Sequence, residues 1–361
     1  MQQDNISRSQ LAAMIWAGVL APVAELLPAL TLPVAGRGAW LSPLIAIPLV
    51  LPCVRVLSSA AGQQGLALSV RTHFGTGVGT VVLLLYIVWA QGMLALRLHL
   101  CAQRLLNTGQ RDGEMWFFLV AMSALVLWMG MGKLAAFARA GQVFLGVLLV
   151  TGVVVLGLSV PQVRAERVLL LWTGDTLPIA RAALPVVGVL SWGLWGAFLM
   201  GQMEAGGEKR RGGWLFSGVG GCVALTLSQL VIVGNLGAAL AMKVENPFFT
   251  LAKSVGIKGG FQRIESVIAA LWTLSDLAMA ALILFAVRTM LLTIVPGMAK
   301  HWAAIAGLLP AVVLVFFFGR HVSYWSEILL LWGDLLFGLL IPVVVLIAKL
   351  ICGKWQTTPH I

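Results

Sequence analysis

Three carboxylates stand inside stretches that are otherwise apolar: Glu25, Asp276 and Asp334. An ionisable group at membrane depth costs about 2.5–3.5 kcal/mol on insertion scales and marks a functional position by default. Glu25 follows Pro22 by three residues, and a proline ring removes one backbone hydrogen bond from a helix. A carboxylate there can coordinate a cation, hold an amine or gate by protonation. Paired with a basic group, it is a structural carboxylate instead. Asp276 closes the run WTLSD. It lies about one helical turn beyond Trp272 and three residues beyond Thr273, so the three form a polar stripe on one helix face. Asp334 belongs to the last apolar run and is the weakest candidate of the three.

A solute carrying a carboxylate and an ammonium needs both charged ends satisfied. Its carboxylate suits free N–H groups at the start of a half-helix, and its ammonium suits unwound carbonyls or a carboxylate such as Glu25. Two segments can supply these groups: GVLAPVAELLPAL at 18–30 and GVLSWGLWG at 188–196. Pro22 interrupts the first, and Gly188, Gly193 and Gly196 loosen the second. Ser191, Trp192 and Trp195 border the glycine break, where the indoles could wall an apolar pocket. Trp89 and Gln91 fall opposite the Asp276 stripe. The expected ligand site therefore comprises Gly18, Pro22, Glu25, Trp89, Gln91, Gly188, Ser191, Trp192, Gly193, Trp272, Thr273 and Asp276. Arg97 and His99 are expected to reach the membrane interface by snorkelling.

Catalysis finds no support in the residues. The five histidines never form HExxH, and no GxSxG-type serine is present. Cys53, Cys101, Cys222 and Cys352 are far apart and read as small apolar residues. No metal site and no cofactor are expected.

The elements that must hold these residues are membrane helices. The chain has 361 residues, 60% apolar and only 10% charged, against about 25% charged in soluble domains. One crossing takes about 20 apolar residues. Ten spans are expected near 10–34, 39–58, 79–105, 115–131, 140–158, 183–203, 214–241, 263–288, 301–319 and 326–350. Helices are the viable form, since unpaired backbone groups cannot be left in hydrocarbon. Trp40, Trp116, Trp172, Trp214, Trp302, Trp325 and Trp355 fall near span ends, as an interfacial belt requires. The net charge of +11 is scattered between apolar runs, which argues against nucleic acid and for loops beside lipid headgroups.

With ten spans both termini lie on one side. Each side holds twelve of the 24 Lys and Arg residues, Arg97 and Arg104 being assigned to the non-terminal side. The EKRR cluster at 208–211, in a short loop, tips the expectation to cytoplasmic termini. Shifting the first five spans by roughly 170 to 190 residues lays them on the last five. Because five is odd, the second set is inverted, an architecture of many secondary transporters. The expected fold is an all-α integral membrane protein, a single polytopic domain over 1–361. Repeat one covers about 10–158 and repeat two about 183–350, with helices 1 and 6 broken.

Particular stretches carry a resemblance. ISRSQLAAMIW at 6–16, LLPAL at 26–30 and AGRGAWLSPLIA at 35–46 resemble the opening of the GerAB-like spore germination permeases. NPFFTLAKSVGIKGGFQRIESVIAALW at 246–272 resembles that family's loop before the eighth span, with Arg263, Glu265 and Trp272 at its end. The resemblance implies the LeuT/APC-like fold of the amino acid/polyamine/organocation transporter superfamily. It implies a membrane B subunit of a nutrient germinant receptor, in the spore inner membrane, working with an A subunit and a lipoprotein C subunit. The germinant implied is a small amino-acid-like molecule. Transport of such a substrate, or a scaffold role without a ligand, are the alternatives.

Overall fold

In the computed structural model the described residues are 5–108, 113–169, 173–204, 212–244, 246–254, 264–319 and 332–356. The protein is all-helical among them, apart from one isolated bridge between Ile6 and Met203. Trp172, Trp325, Arg263 and the 208–211 cluster lie outside the described residues, as do the side chains of Trp214, Glu265 and Trp355.

The first five helices are Arg8–Ala35, Ser42–Ala61, Leu66–Thr108, Met115–Met131 and Leu134–Ser159. The sixth starts as Thr176–Leu190 and continues as Leu194–Leu199. The seventh to ninth are Gly212–Leu236, Ile264–Ile294 and Lys300–Phe318. The tenth is Ile341–Gln356, preceded by a π-helical turn at Leu336–Leu340. The layout is that of a multi-pass membrane protein. Trp116 and Trp302 sit in the first turns of the fourth and ninth helices, 56% and 61% exposed, where an interfacial belt needs them.

The third helix explains its own orientation. Leu83, Tyr86, Ala90, Met93, Arg97, Cys101 and Arg104 recur at intervals of three and four, and all are buried. Val78, Val81, Leu85 and Val88 form the opposite stripe, apolar and exposed. A helix that turns its arginines inwards and its valines outwards fits a lipid surround. It is also longer than expected, because a leading segment joins it through a kink at Gly75, whose φ of 76° suits glycine.

The first helix corrects one expectation. It runs unbroken through Pro22, Pro28 and Pro33. Membrane helices tolerate proline when neighbouring side chains satisfy the disturbed carbonyl row. The Ser275 hydroxyl of the eighth helix donates to the Ala17 carbonyl at 2.6 Å and ties the two helices together one residue before the carbonyl that Pro22 leaves without its N–H. The sixth helix does break where expected, through a 3-10 turn at Ser191–Gly193. The Ser191 hydroxyl donates to the Gly188 carbonyl at 2.5 Å and steadies that turn.

Close approach of helices depends on small residues. The first helix packs against the fifth, sixth and eighth. A β-carbon on Gly18 would lie 2.9 Å from the Met279 Cα, and one on Gly141 would lie 2.9 Å from the Met14 Cα. Gly18 is thus a contact point between the first and eighth helices. Gly18→Val should lower the melting temperature of the detergent-solubilised protein, at a cost of about 1–3 kcal/mol typical of overpacking. Gly157→Val, where nothing lies within 4 Å of the added carbon, should leave it nearly unchanged.

Candidate functional site

Five charged side chains meet inside the bundle. Arg97 and Arg104 come from the third helix, Glu25 from the first, Asp276 from the eighth and Asp334 from the helical residues just before the π-helical turn that leads into the tenth. The arginines are seven residues apart, which puts them on one face and about 10 Å apart along the axis. Arg104 donates to Asp276 Oδ2 through one guanidinium nitrogen and to Glu25 Oε2 through the other. Its guanidinium also lies 5.4 Å from the centre of the Trp272 ring. Asn246, just before the short helix Pro247–Ser254, donates its amide to Glu25 Oε1 at 2.8 Å. Both Glu25 oxygens therefore have protein partners.

Asp276 links this pair to a second group. Its Oδ1 is 3.8 Å from Arg97 Nη1, an ion pair beyond hydrogen-bond length. Arg97 is fully buried and its guanidinium carbon stands 4.7 Å from the centre of the Trp192 ring. Trp192 Nε1 in turn donates to Asp334 Oδ2 at 2.8 Å. The 3-10 turn of the sixth helix sets that indole, and Ser191 fastens the turn to the tenth helix through the Asp334 carbonyl at 3.3 Å. A continuous line thus runs from Asn246 through Glu25, Arg104, Asp276 and Arg97 to Trp192 and Asp334. In low dielectric such charges are stable only when paired and hydrogen-bonded.

Aromatic rings pack beside this line. Trp89 stacks between Trp195 and Phe337, with ring centres 4.6 and 5.0 Å away. Tyr86 donates its hydroxyl to the Phe337 carbonyl at 2.9 Å, within the π-helical turn. Turns of that kind inside helices are frequent at functional sites. On the far side of the Ser191–Gly193 turn is an apolar cavity of about 90 Å³, lined by Ile15, Val19, Val50, Ser191, Gly193 and Gly338 among others. That is room for several waters or a small side chain.

The expected site residues fall into three groups. Glu25, Asp276 and Trp272 surround Arg104, while Ser191 and Trp192 meet Asp334. Trp89 reaches the same end of the tenth helix, next to Gly333. Gly188 and Gly193 frame the sixth-helix turn. The third group has other attachments. Gln91 donates to the Gly307 carbonyl of the ninth helix at 3.0 Å, and Thr273 donates to Ala269 of its own helix at 2.9 Å. Gly18 and Pro22 are buried in the unbroken first helix.

The arginines were misplaced by the sequence reading. Arg97 does not snorkel, and Arg104, counted at the non-terminal end of the third span, turns into the bundle instead; both face the carboxylates. Asp334 does not flank the core but enters it. The seven-residue spacing of the arginines, against three in-span carboxylates, was the signal available. Among the described residues no cluster of His, Cys, Asp or Glu is placed to hold a metal ion.

No protein-family model matches the chain, and no curated protein matches it in sequence. Solved structures do. MhsT in complex with L-phenylalanine superimposes with a TM-score of 0.71 at 14% identity, covering 96% of this chain and 89% of that one. Mhp1, a nucleobase-cation-symport-1 family transporter in a closed conformation with bromovinylhydantoin bound, gives 0.65 at 14%, covering 88% and 73%. A manganese transporter of Eremococcus coleocola gives 0.57 at 13%, covering 94% and 76%. The chain is an all-helical membrane protein with a LeuT-like fold.

Proposed function

We propose that the chain is a membrane protein of the secondary-transporter type that binds a small amino-acid-like molecule near the bilayer midplane. The observation that carries this reading is the buried line of charge at the sixth-helix turn, with Asp276 between two arginines. Ionisable groups inside a membrane bundle mark substrate and ion pathways, and transporter sites form where helices are interrupted at the repeat interface. The similarity to MhsT, whose structure holds L-phenylalanine, and to Mhp1 supports a small-molecule substrate. A catalytic role has nothing comparable behind it. The experiment is uptake of radiolabelled amino acids by proteoliposomes containing the purified chain. Time-dependent accumulation above protein-free vesicles is expected. Absence of both uptake and binding across the panel contradicts the reading.

A second reading rests on the stretches at 6–16, 35–46 and 246–272 that resemble the spore germination permeases. In it the same site senses a germinant. The chain is then the B subunit beside the A subunit and the lipoprotein C subunit in the spore inner membrane, with cytoplasmic termini. Deletion of the gene in its own spore-forming host separates the two. Loss of germination on amino acids supports sensing, and normal germination with lost uptake supports transport alone.

Arg104 and Glu25 separate architecture from binding. Arg104→Gln strands the two carboxylates that it holds, and breaking a buried pair typically costs about 3–5 kcal/mol. Membrane abundance and melting temperature should fall sharply. Glu25→Gln leaves Arg104 its bond to Asp276 and should lower abundance far less. Normal abundance with a weakened response to the amino acid places Glu25 in binding. Normal abundance with an unchanged response removes it from the site.

A further inference from the structure

The Arg97 guanidinium is fully buried, and none of its three nitrogens has a hydrogen-bond acceptor among the described residues. The guanidinium carbon lies over the Trp192 ring, 4.7 Å from its centre, and that contact fills none of the N–H donors. The nearest carboxylate oxygen, Asp276 Oδ1, stands off at 3.8 Å and itself lacks a hydrogen bond. A guanidinium offers five N–H donors in a rigid fork that matches a carboxylate bidentately. Buried groups of this kind are ordinarily saturated, and each exception needs an explanation.

A second unfilled atom lies across the same indole. Asp334 is buried, its Oδ2 takes the Trp192 N–H, and its Oδ1 has no hydrogen-bond partner among the described residues. Trp192 therefore carries an unfilled cation on its ring face and a half-filled anion at its ring edge. Arg104 shows the contrast on the same helix, since it already grips Asp276 and Glu25. The two arginines of one helix face thus have different tasks.

We infer that Arg97 and Asp334 are the two ends of a receptor for a zwitterion: the substrate carboxylate docks in the plane of Arg97 and its ammonium meets Asp334 Oδ1. This rests on the reading of the chain as a solute-binding protein and narrows it. An amine without a carboxylate fills only the Asp334 end, so polyamines and simple organocations are not substrates. An acid without an amine fills only the Arg97 end. The unpaired group left in each case explains the discrimination, because a buried charge deprived of its partner is costly.

The test uses the purified full chain in detergent, with thermal stabilisation and radioligand binding as readouts. Each common amino acid is compared with its decarboxylated amine and its deaminated acid, as with leucine, isopentylamine and 4-methylpentanoate. The amino acid that binds should do so at least about 30-fold more tightly than either analogue. Arg97→Gln should abolish the preference over the amine, and Asp334→Asn the preference over the acid. If Arg97→Gln fails to accumulate, Arg97→Lys decides: it keeps a positive charge beside Asp276 but loses the fork, and the preference should shrink. Equal binding of the amine, or an unchanged preference in the Arg97 variants, overturns the assignment and leaves the solute-binding reading standing. Binding of nothing on the panel by the unsubstituted chain overturns both.

Discussion

Asp276 is the residue on which the interior depends. It sits on the eighth helix between two arginines of the third, and it bonds one and stands off from the other. Without it, Arg97 would lose its nearest carboxylate and Arg104 one of its two, and breaking a buried pair typically costs about 3–5 kcal/mol. The third and eighth helices are therefore held face to face by charge as well as by packing. The first helix joins them at two points, through Glu25 to Arg104 and through the Ala17 carbonyl to Ser275. That arrangement leaves one arginine hydrogen-bonded to two carboxylates and the other with no hydrogen bond to a carboxylate among the described residues.

The asymmetry gives the interior two functional zones. Arg104 is bonded to two carboxylates, and Trp272 closes one side. A group tied at both terminal nitrogens reads as architecture. Around Arg97 and Asp334 the polar atoms outnumber their partners, and the sixth-helix turn holds the indole between them. The π-helical turn of the tenth helix, tied to Tyr86, adds a second departure from regular helix at the same level. Irregular backbone inside a membrane is tolerated where it is buried in protein or lines a cavity. Here it does both, since Ser191, Gly193 and Gly338 line the adjacent cavity.

Much of this was legible in the sequence because hydrophobic length and composition dominate in a bilayer. The spans, the sixth-helix break at Gly193 and the in-span carboxylates Glu25 and Asp276 all follow from local pattern. What local pattern cannot supply is partnership. Pro22 predicts a break, yet the helix runs on through it, packed against the fifth, sixth and eighth helices. Arg97 reads as a snorkelling residue because its nearest span end is two turns away, yet Asp276 and Trp192 from other helices draw it inwards. Asp334 was set aside by position in the helix order, whereas its partner Trp192 is 142 residues away. The fold was readable from each segment alone, and the site only from segments brought together.

The most direct measurement is a high-resolution structure of the full chain in lipid nanodiscs, solved with and without the amino acid that stabilises it most. The account predicts ligand density beside Trp192, with carboxylate oxygens in the plane of the Arg97 guanidinium and the ammonium within hydrogen-bond distance of Asp334 Oδ1. Arg104 should keep Glu25 and Asp276 in both states. Density elsewhere in the bundle, with Arg97 saturated by protein groups in both states, would contradict it.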